Sequence, residues 1–451
     1  MRPKPQKMDP QLDMFRRSLA NMLSHQHELY RLAELIDWEA FEREFGVLYS
    51  ENGRPGIPIR LLVGLTYLGH AFGLSDEEVV KRWVENPYWQ FFCGETHFRH
   101  DLPIDPSSLS RWRKRIGPEG SELILKISVT AGVQSGAVRA SNFERVTVDT
   151  TVQPKAVAFP TDSRLYHRSR ERLAKLAAAH GVPLRQSYCR LGAQALMKAG
   201  RYLHARQGKR AGREIKRLKT YLGRVYRDIV RKIENRKELG SFFAAELGLA
   251  SRLLSQQRQD KNKLYSLHAP EVECIAKGKA HKKYEFGVKV SVATTNRDNF
   301  VVGISAEHGN PYDGHTLARA LDQVRRVTGE AVKRCFVDRG YRGHGVTDCE
   351  VLISGRRRGL TPQMKKELKR RSAVEPVIGH LKEDGKLGRN WLKGRIGDKI
   401  NALLCGAGHN IRLILRRLRE VLLFWLIFQW RDVLWLSVPW RMDDNLLPAD
   451  N

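Results

Sequence analysis

Three acidic residues, Asp149, Asp338 and Glu375, are of the type and placement that could hold hard divalent cations together. Asp149 closes the apolar run Val146-Thr147-Val148, and Asp338 closes Cys335-Phe336-Val337. A carboxylate at the point where a strand emerges sits on a rigid element, and a neighbouring strand brings a second one within a few Å. Mg²⁺ takes oxygen ligands and keeps positions open for substrate. Two such ions about 3.5–4 Å apart stabilise the attacking and leaving oxygens of a phosphoryl transfer together. A single strand-end aspartate is ordinarily a turn or cap residue. Two of them on one α/β frame, in a strongly basic chain, read as ligands instead.

Glu375 lies in the helical segment Arg371–Lys382. Arg371 is four residues before it and Lys382 seven beyond, so the three share a face, while Val374, Val377, Ile378 and Leu381 form the opposite one. An acid between two cations suits a metal ligand flanked by phosphate clamps; the plainer reading is a surface ion-pair stripe. Pro376 strains a continuous helix here, because it removes a backbone donor just after the acid. Asp162, Glu285 and Asp313 are further acids that could share the site, and spacing does not rank them.

The elements that must position these residues are legible in part. Residues 11–50 predict two short helices carrying Leu32, Leu35, Ile36 and Phe41. Pro58 opens an apolar helix to about Phe72, and Ser75-Asp76-Glu77-Glu78 is a capping box that starts another. Asp105-Pro106 then starts a helix with Arg111, Arg113, Lys114 and Arg115 around its surface, which fits a helix-turn-helix reader of DNA or a solvated basic helix. Runs at 143–149, 284–292, 300–304 and 334–338 predict strands. Between the first two, Ile215, Leu218, Leu222, Val225, Ile229 and Ile233 draw one apolar seam on an Arg/Lys-coated helix, which predicts packing on a partner helix. The last third predicts helices at 364–382 and 398–418. Strands, helices and a mixed sheet give an α/β class with a helical insertion between the first two core strands. The predicted division is 1–140, a helical N-terminal DNA-binding domain; 141–162 with 265–415, a discontinuous catalytic core; 163–264, a basic helical insertion; and 416–451, a C-terminal tail.

Charge points to the partner. Across 451 residues, 79 Lys and Arg stand against 49 Asp and Glu, a net +30. The excess is local: residues 161–240 hold 22 basic and 6 acidic residues and residues 353–420 hold 18 and 6, whereas residues 1–150 are near neutral with 19 and 20. Two concentrated basic segments are what surfaces tracking a phosphate backbone require. The six cysteines contain no C-x-x-C pair, which argues against a zinc ribbon or a disulfide framework. The apolar run 421–428 is too short to span a bilayer, so no membrane partner is expected, and the chain reads as cytoplasmic, bacterial and nucleoid-associated.

At these residues the sequence resembles the DDE insertion-sequence transposases of the IS-five group, within the wider IS-four-like class. The phrases that carry it are Val148-Asp149-Thr150-Thr151-Val152, Phe159-Pro160-Thr161-Asp162-Ser163, Gly309-Asn310-Pro311-Tyr312-Asp313-Gly314, Val337-Asp338-Arg339-Gly340-Tyr341 and Arg371-Ser372-Ala373-Val374-Glu375-Pro376. The resemblance implies an RNase H-like core with Asp149 on its first strand, Asp338 on its fourth and Glu375 on a late helix. It implies two Mg²⁺ ions, with Mn²⁺ able to substitute, and Arg371 and Lys382 on the DNA phosphates. The wider class carries a tyrosine–arginine–glutamate–lysine signature, whose tyrosine position falls here on Leu368. DNA, as terminal inverted repeats and target, is the implied partner, with a homodimer to join two ends. A metal-dependent nuclease on the same fold and an inactive, domesticated DNA-binding relative remain the alternatives.

Overall fold

The computed structural model describes residues 17–436 except 51, 54, 235, 258, 277–282 and 356–357, and from 423 onward the backbone alone. The N-terminal part is helical: α1 (Leu19–Met22), α2 (Glu28–Leu35), α3 (Trp38–Gly46), α4 (Ile59–Ala71), α5 (Asp76–Glu85), α6 (Pro87–Phe92) and α7 (Ser107–Gln134). Helix α4 is apolar on every side and is almost wholly buried, as such a composition demands. The capping box closes as the sequence predicts: Ser75 accepts from the Glu78 N–H and Glu78 accepts from the Ser75 N–H. Helix α7 breaks at Gly117, whose φ of 63° is left-handed, and restarts at Pro118.

One six-stranded mixed sheet is found among the described residues: β1 (Arg145–Pro154), β2 (Glu273–Ala276), β3 (Tyr284–Thr295), β4 (Val301–Glu307), β5 (Arg334–Val337) and β6 (Glu350–Ile353). Strand β3 runs antiparallel to β1 on one side and to β2 and β4 on the other; β5 is parallel to β1, and β6 to β5. Four of these strands were legible as β-branched runs, although β1 and β3 extend further than their alternation indicates. Strands β2 and β6 are four residues each, too short for a period-two pattern to stand out. Strand β1 buries Val146, Val148 and Val152 on one face and Thr147, Thr151 and Gln153 on the other, so it is covered on both.

Between β1 and β2 come α8 (Asp162–Ala179), α9 (Cys189–His204), α10 (Gly208–Ile233) and α11 (Lys237–Ser255). They bury an apolar core of their own, in which Leu218, Leu222, Val225 and Ile229 of α10 meet Leu173, Ala177 and Ala195. The seam thus finds its partners on neighbouring helices of the same insert. After β4 follow α12 (Asp313–Thr328), α13 (Pro362–Lys369), α14 (Val374–Glu383) and α15 (Gly394–Leu436). The predicted helix 364–382 is divided by a 3₁₀ turn at Arg370–Ala373. That division resolves the proline conflict: α14 begins at Val374, so Pro376 sits in the first turn, where its missing N–H costs nothing. Helix α15 passes through the 415/416 boundary without interruption, and residues 437–451 of the proposed tail lie outside the described residues.

The N-terminal helices, the sheet and α15 share one hydrophobic core. Helix α15 crosses α4 so closely that a Cβ on Gly408 would lie 2.6 Å from the backbone carbonyl of His70. Replacing Gly408 by Val should therefore cost about 1–3 kcal/mol through overpacking, read by urea denaturation; an unchanged midpoint would contradict this contact. Two buried histidines lie at the same junction. Burial, with Arg412 beside it, depresses His409 to about 3, and burial with Lys386 nearby holds His70 well below its usual value. Only the unfolded chain takes up these protons, so the stability they confer is complete above about pH 6.5 and is lost as the pH falls toward 3. At pH 5 His409 alone removes about 2 kcal/mol, and His409→Gln should flatten the fall in melting temperature between pH 7 and 5.

Candidate active site

The β1–β5 pairing sets the centre of the site. Arg145, Val146 and Thr147 oppose Arg334, Cys335 and Phe336. Continuing that register by two residues puts Asp149 beside Asp338, whose backbone is still extended (φ −82°, ψ −177°). Side chains two residues apart share a face, and adjacent strands lie about 4.8 Å apart. Asp149 accepts from the Thr150 N–H (2.7 Å), and Asp338 from the Gly340 N–H (2.8 Å), which opens the 3₁₀ turn Arg339–Tyr341.

Tyr341 ends that turn fully buried, with a hydroxyl that has no hydrogen-bond partner among the described residues. Burial pushes its ionisation up, and the charges of Asp149, Asp313 and Asp338 push the same way. The phenol is thus a neutral donor in the field of three carboxylates. Asp313, unranked by the sequence, begins α12 and accepts from Thr150 Oγ1 (3.1 Å) and Lys289 Nζ (3.0 Å). Its Oδ2 and Asp338 Oδ1 flank the same point, 3.2 and 3.0 Å from where a Cβ on Gly340 would be. In the sequence Asp313 is one of three unranked acids, and its place in a first helical turn has an ordinary dipole explanation. Asp162 instead begins α8, and Glu285 lies on β3 beside β2.

Glu375 is in the first turn of α14, with its side chain 68% exposed. Arg371 stands between it and the strand acids: Nη1 is 3.5 Å from Asp149 Oδ2 and Nη2 is 3.8 Å from Glu375 Oε1. The turn that carries Arg371 is tied to the sheet. Arg334 of β5 pairs with Glu367 of α13 (2.8 Å), and Arg370 Nε donates to the Asn296 carbonyl (2.7 Å). Lys382 is half-buried at the end of the same face, lining an open cavity of about 810 Å³ with Arg389 and Trp391.

The far end of β1 is pinned by buried charge. Lys155 Nζ lies 2.7 Å from Asp398 Oδ1 and 2.8 Å from Glu271 Oε1. Burial raises Asp398 despite Lys155, whereas for Glu271 the Lys155 hydrogen bond and other donors outweigh burial and lower it. Asn390 pairs with Lys155 in a parallel bridge and donates to Asp398 (2.6 Å).

Of the expected DNA-facing cations, Arg111, Lys114 and Arg115 are exposed on α7. Arg113 is not: it shares the inward face of Leu109, Trp112 and Ile116, is 7% exposed and is paired with Asp76. The predicted ring of four surface cations is thus three.

The donor set is chemically suited to a hard cation, and the Arg371 guanidinium already supplies positive charge between Asp149 and Glu375. Among the described residues no three His, Cys, Asp or Glu side chains are gathered as a ready metal site. The adjacent aspartates and the buried phenol nonetheless gather acid at one place, where β1 lies beside the end of β5. Residues 17–115 match the family described as "Transposase domain (DUF772)", and residues 257–411 match the "Transposase DDE domain". The chain belongs to the transposases that carry a DDE domain. It is also similar to a Rhizobium meliloti protein named "Uncharacterized protein ORF8 in nfe locus", at 55% identity over 195 residues, which is 43% of this chain and 94% of that one. No solved structure matches the chain. Among the described residues no helix is long and apolar enough to cross a membrane.

The buried charge at the end of β1 gives a test of how the sheet is held. Lys155→Met strands two buried carboxylates and should lower stability by about 3–5 kcal/mol, measured by urea denaturation; a loss under 1 kcal/mol would mean that water reaches them.

Proposed function

We propose that this transposase cuts and joins DNA at the ends of an insertion sequence, with Asp149, Asp338 and Glu375 holding its divalent ions. The observation that carries the proposal is the register that sets Asp149 beside Asp338, within a chain matching a DDE domain. The sheet order agrees with an RNase H-like core, and the sequence phrases with the IS-five group. When bound, two Mg²⁺ ions, or Mn²⁺ in their place, supply activation of water and neutralisation of charge on the reacting phosphate.

The chain's own residues supply the rest. Asp149 is fixed within β1 and Asp338 at the end of β5, so their oxygens stay close without reorganisation. Tyr341 offers a buried neutral donor beside them. Arg371 exchanges its two carboxylates for phosphate oxygens when DNA arrives, which releases Glu375, and Lys382 holds the next phosphate along the face. Arg111, Lys114 and Arg115 contact the inverted repeat, while the basic insert 163–264 holds flanking or partner DNA. A homodimer brings two ends together, with the protein working on the nucleoid in the cytoplasm.

The test uses a labelled duplex from the DNA flanking the coding region. Asp149→Ala, Asp338→Ala and Glu375→Ala should each reduce cleavage by a factor of about 100 or more and leave end binding within twofold. Chelation should stop cleavage, and Mg²⁺ or Mn²⁺ should restore it. Undiminished cutting by any one variant removes that residue from the site. Pre-cut ends bearing a 3′-hydroxyl should be joined to target; hydrolysis without joining would mean a nuclease.

A further inference from the structure

Two large aromatic side chains lie open to solvent near the pinned end of β1. Trp391 is 69% exposed, although its neighbour Asn390 is 1% exposed. Asn390 is held by its bridge to Lys155, by N–H···O bonds with Pro154 and Ala156 and by its side-chain bond to Asp398. The indole is therefore projected from one of the firmest points of the backbone. Arg389 lies over its ring, 4.5 Å from the centroid.

On the other side of β1, Lys155 N–H bonds to the Phe286 carbonyl of β3. Phe159 sets its ring edge-on to Phe286 (5.4 Å, 89°) and is 64% exposed. It opens a pocket of about 200 Å³ shared with Arg164, Arg168, Arg172 and Lys175 of α8. Those four are spaced 4, 4 and 3 residues apart, a single helical face. Arg172 is bonded to the Leu267 carbonyl and paired with Glu246; Arg164, Arg168 and Lys175 are exposed and pair with no carboxylate among the described residues. Both aromatics are thus tied to Lys155, Trp391 through Asn390 and Phe159 through Phe286.

We propose that Trp391 and Phe159 form a stacking platform for unpaired bases of DNA, with Arg389 and the α8 cations on its phosphates. Exposed aromatic faces next to a cationic track bind single strands without regard to sequence, because every base offers a π-face. A rigidly held indole loses little freedom on binding. Burial explains neither side chain, and the surrounding positive charge selects a polyanion over an apolar protein surface. The platform is rooted on the strand that carries Asp149, six residues or about 20 Å further along it. The proposal rests on DNA as the substrate, and the cleavage test of the three acids examines that reading separately.

The test measures binding of the full chain by fluorescence anisotropy to a labelled single-stranded oligothymidylate and to a duplex of equal charge. Trp391→Ala and Phe159→Ala should each weaken single-strand binding by about 5- to 100-fold and change duplex binding less than twofold; Trp391→Phe should restore most of the loss. Because both side chains are exposed, thermal melting should be unaltered. Equal losses on both probes would overturn the proposal, since the residues would then serve general charge or folding. No loss on the single strand would overturn it too, as would a change in self-association alone, which would make this face a contact between protein chains.

Discussion

The structure is organised around one unfavourable arrangement, two aspartates set side by side on adjacent parallel strands, Asp149 within β1 and Asp338 just after β5. At about 5 Å and an effective dielectric of about 20, two such charges repel by roughly 3 kcal/mol. The fold sustains this because cations surround the pair. Arg371 bridges Asp149 to Glu375, and Lys289 holds Asp313 on the adjoining edge. Arg371 depends in turn on the Arg334–Glu367 pair and on Arg370 capping the Asn296 carbonyl. Positive charge is thus part of the site before any ligand enters, and a phosphate that draws Arg371 away leaves the acids in want of a replacement.

The core and the surface divide the chain's two tasks. Apolar residues of the N-terminal helices, both faces of the sheet and α15 merge into one core, while the four helices after β1 keep a separate one. That second core allows a strongly basic segment to fold on its own apolar seam. Most of its cations therefore remain on the outside, as α10 illustrates, although Arg170 of α8 is buried.

How much could be read beforehand follows from what each feature depends on. Strands β1, β3 and β5 were visible because β-branched runs are a local property, as was the capping box at Ser75 and Glu78. Strand-end placement also picked out Asp149 and Asp338, although β1 runs on to Pro154 and leaves Asp149 within the strand. Their adjacency was not legible, because it is a matter of register between strands nearly two hundred residues apart. Lys289 escaped for the same reason, and Asp313, one of three further acids named, could not be ranked: each has a commonplace local explanation, and only the tertiary fold joins them. Arg113 misled because basic residues on a short helix look alike until the inward face is known, and Asp76 then claims it. Pro376 looked disruptive only while the helix start was set several residues too early.

Helix α7 carries Arg111, Lys114 and Arg115 at one end and packs along α15 and against α12, the helix that presents Asp313. No free linker separates these elements. Under the proposed reading the fold then acts as a ruler. The number of base pairs between the stretch gripped by α7 and the bond that is cut is set by packed side chains rather than by the reach of a tether. Element ends shortened or lengthened by a single base pair would present the wrong phosphate, and would turn it about the duplex axis as well.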